Sequence, residues 1–345
     1  MAGIKEVAEL SGLSIATVSR ALGGKGSVSE KSRKLAQDAA TELGFVLSYA
    51  ASSLASGRHH NIGIVVPAVN RWFFSAVVDG ASSELIEAGY DLTLYTTSQN
   101  EAHRATILTD FLLRKRLDAI MAVSLELSEA EIGQLLDVHR PVIGIGGPLP
   151  GADSLRVDDF RLARKATEHL IGLGHTRIAH INGGHEYESD FQLPGTRRGG
   201  FEQAMHEAKL PVTSEWVQTA DFTVQGAYTT ARQLLAAGTH RPTAVFAASD
   251  EMAIGTILAA RDFGLRVPED LSVIGIDGHE LGGVFGLTTF DQDARGQGAL
   301  AARRLLARLE NGRPGDDAGY EPVAEEFPTK LIVRNSTAVP PLPSH

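Results

Sequence analysis

The chain has 345 residues, more than one hydrophobic core usually serves, and 43% of them are hydrophobic, so two or three packed domains are expected. No cysteine occurs, which excludes disulfides and thiolate metal sites. The net charge of −10 argues at first sight against a nucleic-acid partner, and neither a basic start with an apolar run at Met1 nor a membrane-length apolar stretch is present, which points to a cytoplasmic protein with no membrane partner.

Residues 4–22, IKEVAELSGLSIATVSRAL, read as two short helices meeting at a glycine turn, the geometry that lets a second helix enter a DNA major groove. Ile4, Val7 and Ala8 recur at helical spacing, Gly12 supplies the turn, and Ser14 is placed to cap a second helix that buries Val18 and Leu22. Ile15, Ala16, Ser19 and Arg20 then face outward. Small and hydroxylated side chains there admit close approach to phosphates, and the Arg20 guanidinium matches guanine O6 and N7 bidentately. An ordinary helical hairpin within a larger core is the alternative. The run 28–45, VSEKSRKLAQDAATELGF, offers Ser29 as a cap and an apolar stripe of Val28, Leu35, Ala39 and Leu43, so a third helix closes a small core. Charge is distributed accordingly: residues 1–58 hold seven Lys/Arg and five Asp/Glu, net +2, which leaves −12 for the rest.

With those three helices the chain resembles the lactose/galactose repressor family of bacterial transcriptional regulators. The matching pieces are VAELSGLSIATVSRAL near the start, ELGF before residue 46 and SLASGR at 53–58. LGHTRIAHINGG (173–184), FAASDEMAIG (246–255), GLRVPEDLSVIGIDG (264–278), LTTFDQD (287–293) and PTKLIVRNST (328–337) follow in order. The resemblance implies a helix-turn-helix head over 1–46 with DNA contacts from Ser14, Ile15, Ala16, Thr17, Ser19 and Arg20. It implies that the segment 47–60 is a hinge whose Ala51, Ser52 and Leu54 enter the minor groove, Leu54 wedging a central base step. Leu47 and Ser48 stand where the family usually has proline and asparagine. Read without the resemblance, 48–60 is a plain linker.

From Asn61 onward, short apolar runs at 62–66, 91–95, 119–123, 142–145, 177–181, 244–248 and 272–276 alternate with helical stretches at 74–88, 101–115, 160–172, 198–208, 225–237, 252–263 and 294–311. Such alternation implies an α/β fold with doubly wound parallel sheets. The resemblance makes 61–337 a two-lobed, periplasmic-binding-protein-like body for effector binding and dimerisation. Its N-lobe is about 61–157 and 290–318 and its C-lobe about 158–287 and 320–337, with crossings near Asp158, near Thr288 and around 312–322. A flexible tail, 338–345, follows.

Ligands of such sheets sit beyond the carboxyl ends of the strands. The matched family positions there are the aromatics Phe73, Phe74 and Phe222 and the polar groups Arg197, Ser249, Asp277 and Gln292. Aromatic faces combined with an arginine and a carboxylate suit a polyhydroxylated or heterocyclic small molecule, with a sugar or sugar phosphate as the leading class. Phe73 and Phe74 read equally as plain core, whereas Arg197 and Asp277 at strand ends are harder to bury without a role. The loop 185–196 has no clear family match.

Other chemistry fails on spacing. GIGG at 144–147 is an incomplete dinucleotide fingerprint, and no HExxH, P-loop or GxSxG occurs. The acidic pairs Asp158–Asp159 and Asp291/Asp293 read as turn and cap carboxylates. No catalytic residue, cofactor or metal is therefore expected. The sequence reads as a ligand-responsive, nucleoid-associated regulator of carbohydrate-uptake or catabolic genes, a repressor working as a homodimer on a palindromic operator in double-stranded DNA. The tail STAVPPLPSH lacks the leucine heptads of a tetramerising coiled coil. A solute-binding protein or sugar-processing enzyme with an incidental helical head is the alternative.

Overall fold

The computed structural model describes residues 2–23, 28–45, 58–97, 101–112, 116–184, 193–237, 240–311 and 320–341. They fall into two compact units, 1–60 and 61–345.

In the first unit, helices α1 (Ile4–Ser11), α2 (Ile15–Leu22) and α3 (Glu30–Glu42) enclose Val7, Ala8, Val18, Ala21, Ala36, Ala39 and Ala40. The turn is made as the residues require: Gly12 takes φ +66°, and the Ser14 hydroxyl accepts the Thr17 backbone N–H at 3.2 Å. Ser29 caps α3 in the same way, accepting from Ser32 N at 3.2 Å. One expected core residue is misplaced. Leu35 is 41% exposed, and the inward row of α3 is Ala36, Ala39 and Ala40, whose small side chains let the three helices approach closely.

The second unit is built on two six-stranded sheets. The first runs β11 (Ala324–Glu326), β5 (Asp153–Arg156), β4 (Val142–Ile145), β3 (Ala119–Val123), β1 (Asn61–Val66) and β2 (Asp91–Thr96), all parallel. The second runs β12 (Lys330–Ile332), β10 (Thr288–Asp291), β9 (Ser272–Asp277), β8 (Ala244–Ala247), β6 (Ile178–Gly183) and β7 (Val217–Ala220), parallel except for the β10–β12 pair. Helices cover both faces of each sheet, as near-continuously apolar strands demand. On the first sheet, α4 (Trp72–Glu87) and α12 (Ala294–Asn311) share one core, and residues 107–112 with α6 (Glu129–Leu136) share the other. On the second, α9 (Val224–Leu235) and α10 (Asp250–Asp262) cover one face, and α7 (Asp159–Gly172) and α8 (Leu193–Glu207) the other.

The lobe boundaries shift from the expected ones. The first crossing, after β5 and before α7, lies beside Asp158. Thr288, however, starts β10 inside the second sheet, so the second crossing lies at Gln292–Asp293, before α12 joins the first sheet. Between β11 in the first sheet and β12 in the second, the third crossing falls at 327–329, downstream of the glycine- and proline-bearing 312–322 run. Short strands of three or four residues are decided by pairing partners, which hydropathy alone does not reveal. The helix expected over 101–115 is α5 (Glu101–Thr106), continued by a wider π-type turn over Ile107–Phe111. The tail expected to be flexible from 338 is anchored at its start: Ala338 N donates to Ser272 Oγ at 3.0 Å, and its carbonyl meets His175 Nε2 at 2.9 Å.

Candidate functional site

On the first unit, Ser14, Ile15, Ala16, Ser19 and Arg20 are all exposed along one face of α2. Ile15 is 46% exposed. Thr17 differs: it is half-buried, and its hydroxyl shares a 2.8 Å hydrogen bond with Ser14 Oγ, so it braces the cap. Ala51, Ser52 and Leu54 lie outside the described residues.

In the second unit, a cavity of about 980 Å³ opens between the two sheets. Its lining follows the carboxyl ends of the strands: 67–71, Phe73 and Phe74 after β1, Thr96 and Thr97 at the end of β2, Ser124 after β3, Gly146 after β4, and Val157 and Asp159 after β5. The second sheet adds Phe222 after β7, Ser249 and Glu251 after β8, Asp277 at the end of β9 and Gln292 after β10. All seven residues expected from the sequence, Phe73, Phe74, Arg197, Phe222, Ser249, Asp277 and Gln292, line this one cavity.

Their chemistry is less free than expected. Arg197 stands on α8, away from any strand end, and is 3% exposed. Its Nε and Nη2 donate to Asp159 Oδ1 at 2.9 and 2.7 Å, and Nη1 donates to the Ala248 carbonyl. Burial pushes the Asp159 carboxyl up, and the Arg197 guanidinium counters it. Ser249 caps α10, its hydroxyl accepting from Met252 N at 3.2 Å. Asp277 is also partnered: Oδ2 accepts the Asp250 backbone N–H at 3.2 Å, and Oδ1 accepts Gln292 Nε2 at 2.8 Å. A carboxylate oxygen has a second lone pair, so each can still receive a ligand donor.

Beside Asp277 lies a second buried carboxyl. Asp250 Oδ2 accepts from Gly278 N at 3.0 Å and His279 N at 2.8 Å. Burial raises both acids, Asp250 to about 6, and the Asp250 charge raises Asp277 further, well above the ordinary carboxylate range. Two neighbouring carboxyls in an apolar setting cannot both ionise cheaply.

Three non-glycine residues of the lining hold a positive φ: Ser124 at +46°, Phe222 at +56° and Asp277 at +145°. Such backbone costs about 1–3 kcal/mol per residue and persists where surroundings over-determine it, commonly at binding sites. The Phe222 ring is seated against Gly183, where a Cβ would fall 1.9 Å from its Cε2. Phe73 and Phe74 meet edge to face, centroids 5.7 Å apart.

Residues the sequence reading missed complete the wall. Arg104 Nε donates to Glu131 Oε1 at 2.7 Å, and Glu131 Oε2 accepts from Ser128 N at 2.8 Å. Burial would raise the Glu131 carboxyl, but Arg104 and Ser128 outweigh it and hold it low. The one sequence signal for this group was SLELSEAE at 124–131, a capping box that reads as helix start only. Among the described residues, no group of His, Cys, Asp and Glu is arranged to hold a metal ion. No helix among them is long and apolar enough to cross a membrane.

Comparison with known proteins gives consistent matches. The description "Bacterial regulatory proteins, lacI family" fits residues 3–48, and "Periplasmic binding protein-like domain" fits residues 167–337. The HTH-type transcriptional repressor PurR of Vibrio vulnificus (strain CMCP6) is 34% identical over 342 residues, which cover 97% of this chain and 98% of that protein. Among solved structures, the transcriptional regulator CelR–cellobiose complex aligns over 97% of this chain and 100% of its own, with 28% identity and a TM-score of 0.67. The lac repressor dimer bound to operator and the anti-inducer ONPF aligns over 98% and 99%, with a TM-score of 0.81 at 24% identity, a likeness of fold.

Proposed function

Since the chain belongs to the lacI family of bacterial regulatory proteins, and is a ligand-responsive DNA-binding repressor and not an enzyme, we propose that it acts as a homodimer on a pseudo-palindromic operator and senses a ring-shaped small molecule in the cavity between its sheets. The observation that carries this reading is the convergence of three phenylalanine rings, the partnered Arg197 and the Asp277 carboxyl on one cavity at the strand ends. Ring faces supply apolar contact, and the convergent polar groups fix orientation.

The α2 face reads the half-site. Arg20 pairs with a guanine, while Ser14 and Ser19 approach phosphates. Leu54, with Ala51 and Ser52, wedges a central pyrimidine–purine step, probing its deformability. One head covers only a half-site, so two-fold symmetry is required for useful affinity.

A sugar is the effector class we assign first, in line with the cellobiose held by the CelR complex. A planar heterocycle is the second reading, favoured by the three phenylalanines of the lining. Effector and operator affinities are coupled by whatever difference the ligand finds between two lobe arrangements. The test has two steps: selection of bound fragments from genomic DNA, then thermal-shift screening of sugars, sugar phosphates and nucleobases, with gel shifts on the selected operator with and without each hit. A hit that shifts operator affinity supports the reading. A protein that selects no palindromic fragment, or that sediments as a monomer on it, refutes it.

A further inference from the structure

Trp72 is the first residue of α4, which also carries Phe73 and Phe74, and it packs against the core of the first sheet. His279 lies two residues beyond Asp277, past the end of β9 in the second sheet. The two rings stack, with centroids 4.8 Å apart and an interplanar angle of 27°. The contact therefore bridges the lobes.

Both partners are held from behind. The His279 backbone N–H donates to Asp250 Oδ2 at 2.8 Å, and its ring Nδ1 accepts the Leu281 N–H at 3.0 Å, so the second lobe sets the plane of the imidazole. Trp72 is fixed by the helix it opens. That helix starts at Arg71 with no side-chain cap of its own, leaving first-turn N–H groups and the positive end of its dipole in want of an acceptor. Glu251, on the first turn of α10 in the other lobe, lines the same cavity as Arg71, so a carboxyl of the second lobe stands near the start of this helix. Burial raises the Glu251 carboxyl, and the Arg71 guanidinium and the Trp72 N–H oppose the rise. The ring stack thus joins the two elements, with the Glu251 carboxyl beside it.

Those elements carry the ligand-facing groups. The residues after Trp72 are Phe73 and Phe74, and the residues before His279 and Glu251 include Asp277 and Ser249, all in the cavity wall. We propose that Trp72, His279 and Glu251 form a clasp across the cleft and are positioning residues for the effector, holding the aromatic wall of one lobe at a set distance from the carboxyl-bearing strand end of the other. The clasp rests on the reading of the cavity as the effector site only for its ligand arm. A ring stack is lost when the lobes part by a few ångströms, so the clasp belongs to this lobe arrangement alone.

The chain has two tryptophans, Trp72 and Trp216. In full-length W216F, Trp72 is the only indole, and its emission and acrylamide quenching report the stack directly. The expected result is a shielded, blue-shifted indole in W216F. H279A combined with E251A should red-shift it and raise its Stern–Volmer constant, and H279F, which keeps a ring in place, should restore shielding. Unchanged emission and quenching in the H279A/E251A protein overturn the clasp. For the ligand arm, ribose, cellobiose and adenine are titrated into W216F and its variants. A probe that binds W216F should lose about tenfold in affinity in H279A and recover in H279F; equal affinity in all three overturns the positioning role. Absence of binding by any probe counts against the effector assignment, while the fluorescence arm still decides the clasp.

Discussion

Replacing Asp250 with asparagine should stabilise the protein at neutral and alkaline pH and leave it nearly unchanged in acid. Asp250 is fully buried, and burial lifts its carboxyl from the ordinary 3.8 to about 6, against hydrogen bonds from Thr289 and from the His279 and Gly278 backbone N–H groups. A raised folded-state value means that the folded protein binds this proton more tightly than the unfolded chain does. The associated cost is absent below about pH 4, grows as pH rises through the folded value, and is fully present above it. A gap of about two pH units at 1.36 kcal/mol each gives about 3 kcal/mol. Asparagine keeps an oxygen for the Gly278 and His279 N–H groups, now 3.0 and 2.8 Å from Asp250 Oδ2, and removes the charge that raises Asp277, which adds to the gain. His180, held down to about 4 by burial, works in the opposite direction: its share of stability falls as pH drops from its ordinary value. It is common to both proteins, so it cancels in the difference between wild type and D250N. Thermal unfolding of the two full-length proteins at pH 4.5 and pH 8 is the assay. About 2 kcal/mol of that cost is added between the two pH values, so at about 1.5 °C per kcal/mol for a chain of 345 residues the gap in midpoint should widen by roughly 3 °C toward pH 8. An equal gap at both pH values would refute the reasoning.

Three further outcomes are expected. Arg20→Ala should cost about 1–3 kcal/mol on specific operator and relax selectivity at one base pair per half-site; equal loss on random DNA in a filter-binding assay would make Arg20 a phosphate contact instead. Gly183→Ala places a Cβ 1.9 Å from Phe222 Cε2, so that ring must leave its seat and effector affinity should drop about tenfold by calorimetry, while operator binding persists. Arg197→Ala leaves Asp159 buried without its guanidinium, and urea unfolding should show a loss on the order of 3–5 kcal/mol, partly recovered by adding Asp159→Asn.

The helical head was legible residue by residue. A turn glycine, two serine caps and apolar residues at helical spacing are local requirements, and local chemistry alone decides them: Gly12, Ser14 and Ser29 stand as the residues dictate. Leu35 departs from the expected stripe because its spacing suits either of two adjacent rows on α3, and only packing against α1 and α2 selects the alanine row. In the second unit the alternation of apolar runs and helices specified parallel sheets, since strands buried on both faces carry no polar alternation.

The cavity shows the same division. Strand ends mark where a ligand sits in such a fold, so Phe73, Phe222 and Asp277 stand out in the chain by their place after apolar runs, whereas Arg197, on α8, is indicated only by the family resemblance. What those groups hold could not. Arg197 meets Asp159 across 38 residues, Asp277 meets the Asp250 backbone across 27, and Trp72 meets His279 across some two hundred positions in sequence. The lobe crossings at Gln292–Asp293 and 327–329 also depended on which sheet accepted short strands such as β10, β11 and β12. The sequence by itself determined the longer helices and apolar strands, turn chemistry and the kind of residue that follows those strands, because these follow from backbone conformation and periodicity within a few neighbours. Only the tertiary structure decided which carboxyls share a buried site and which rings face each other across the cleft, because burial, charge and stacking depend on groups that the chain brings together only once both sheets have formed.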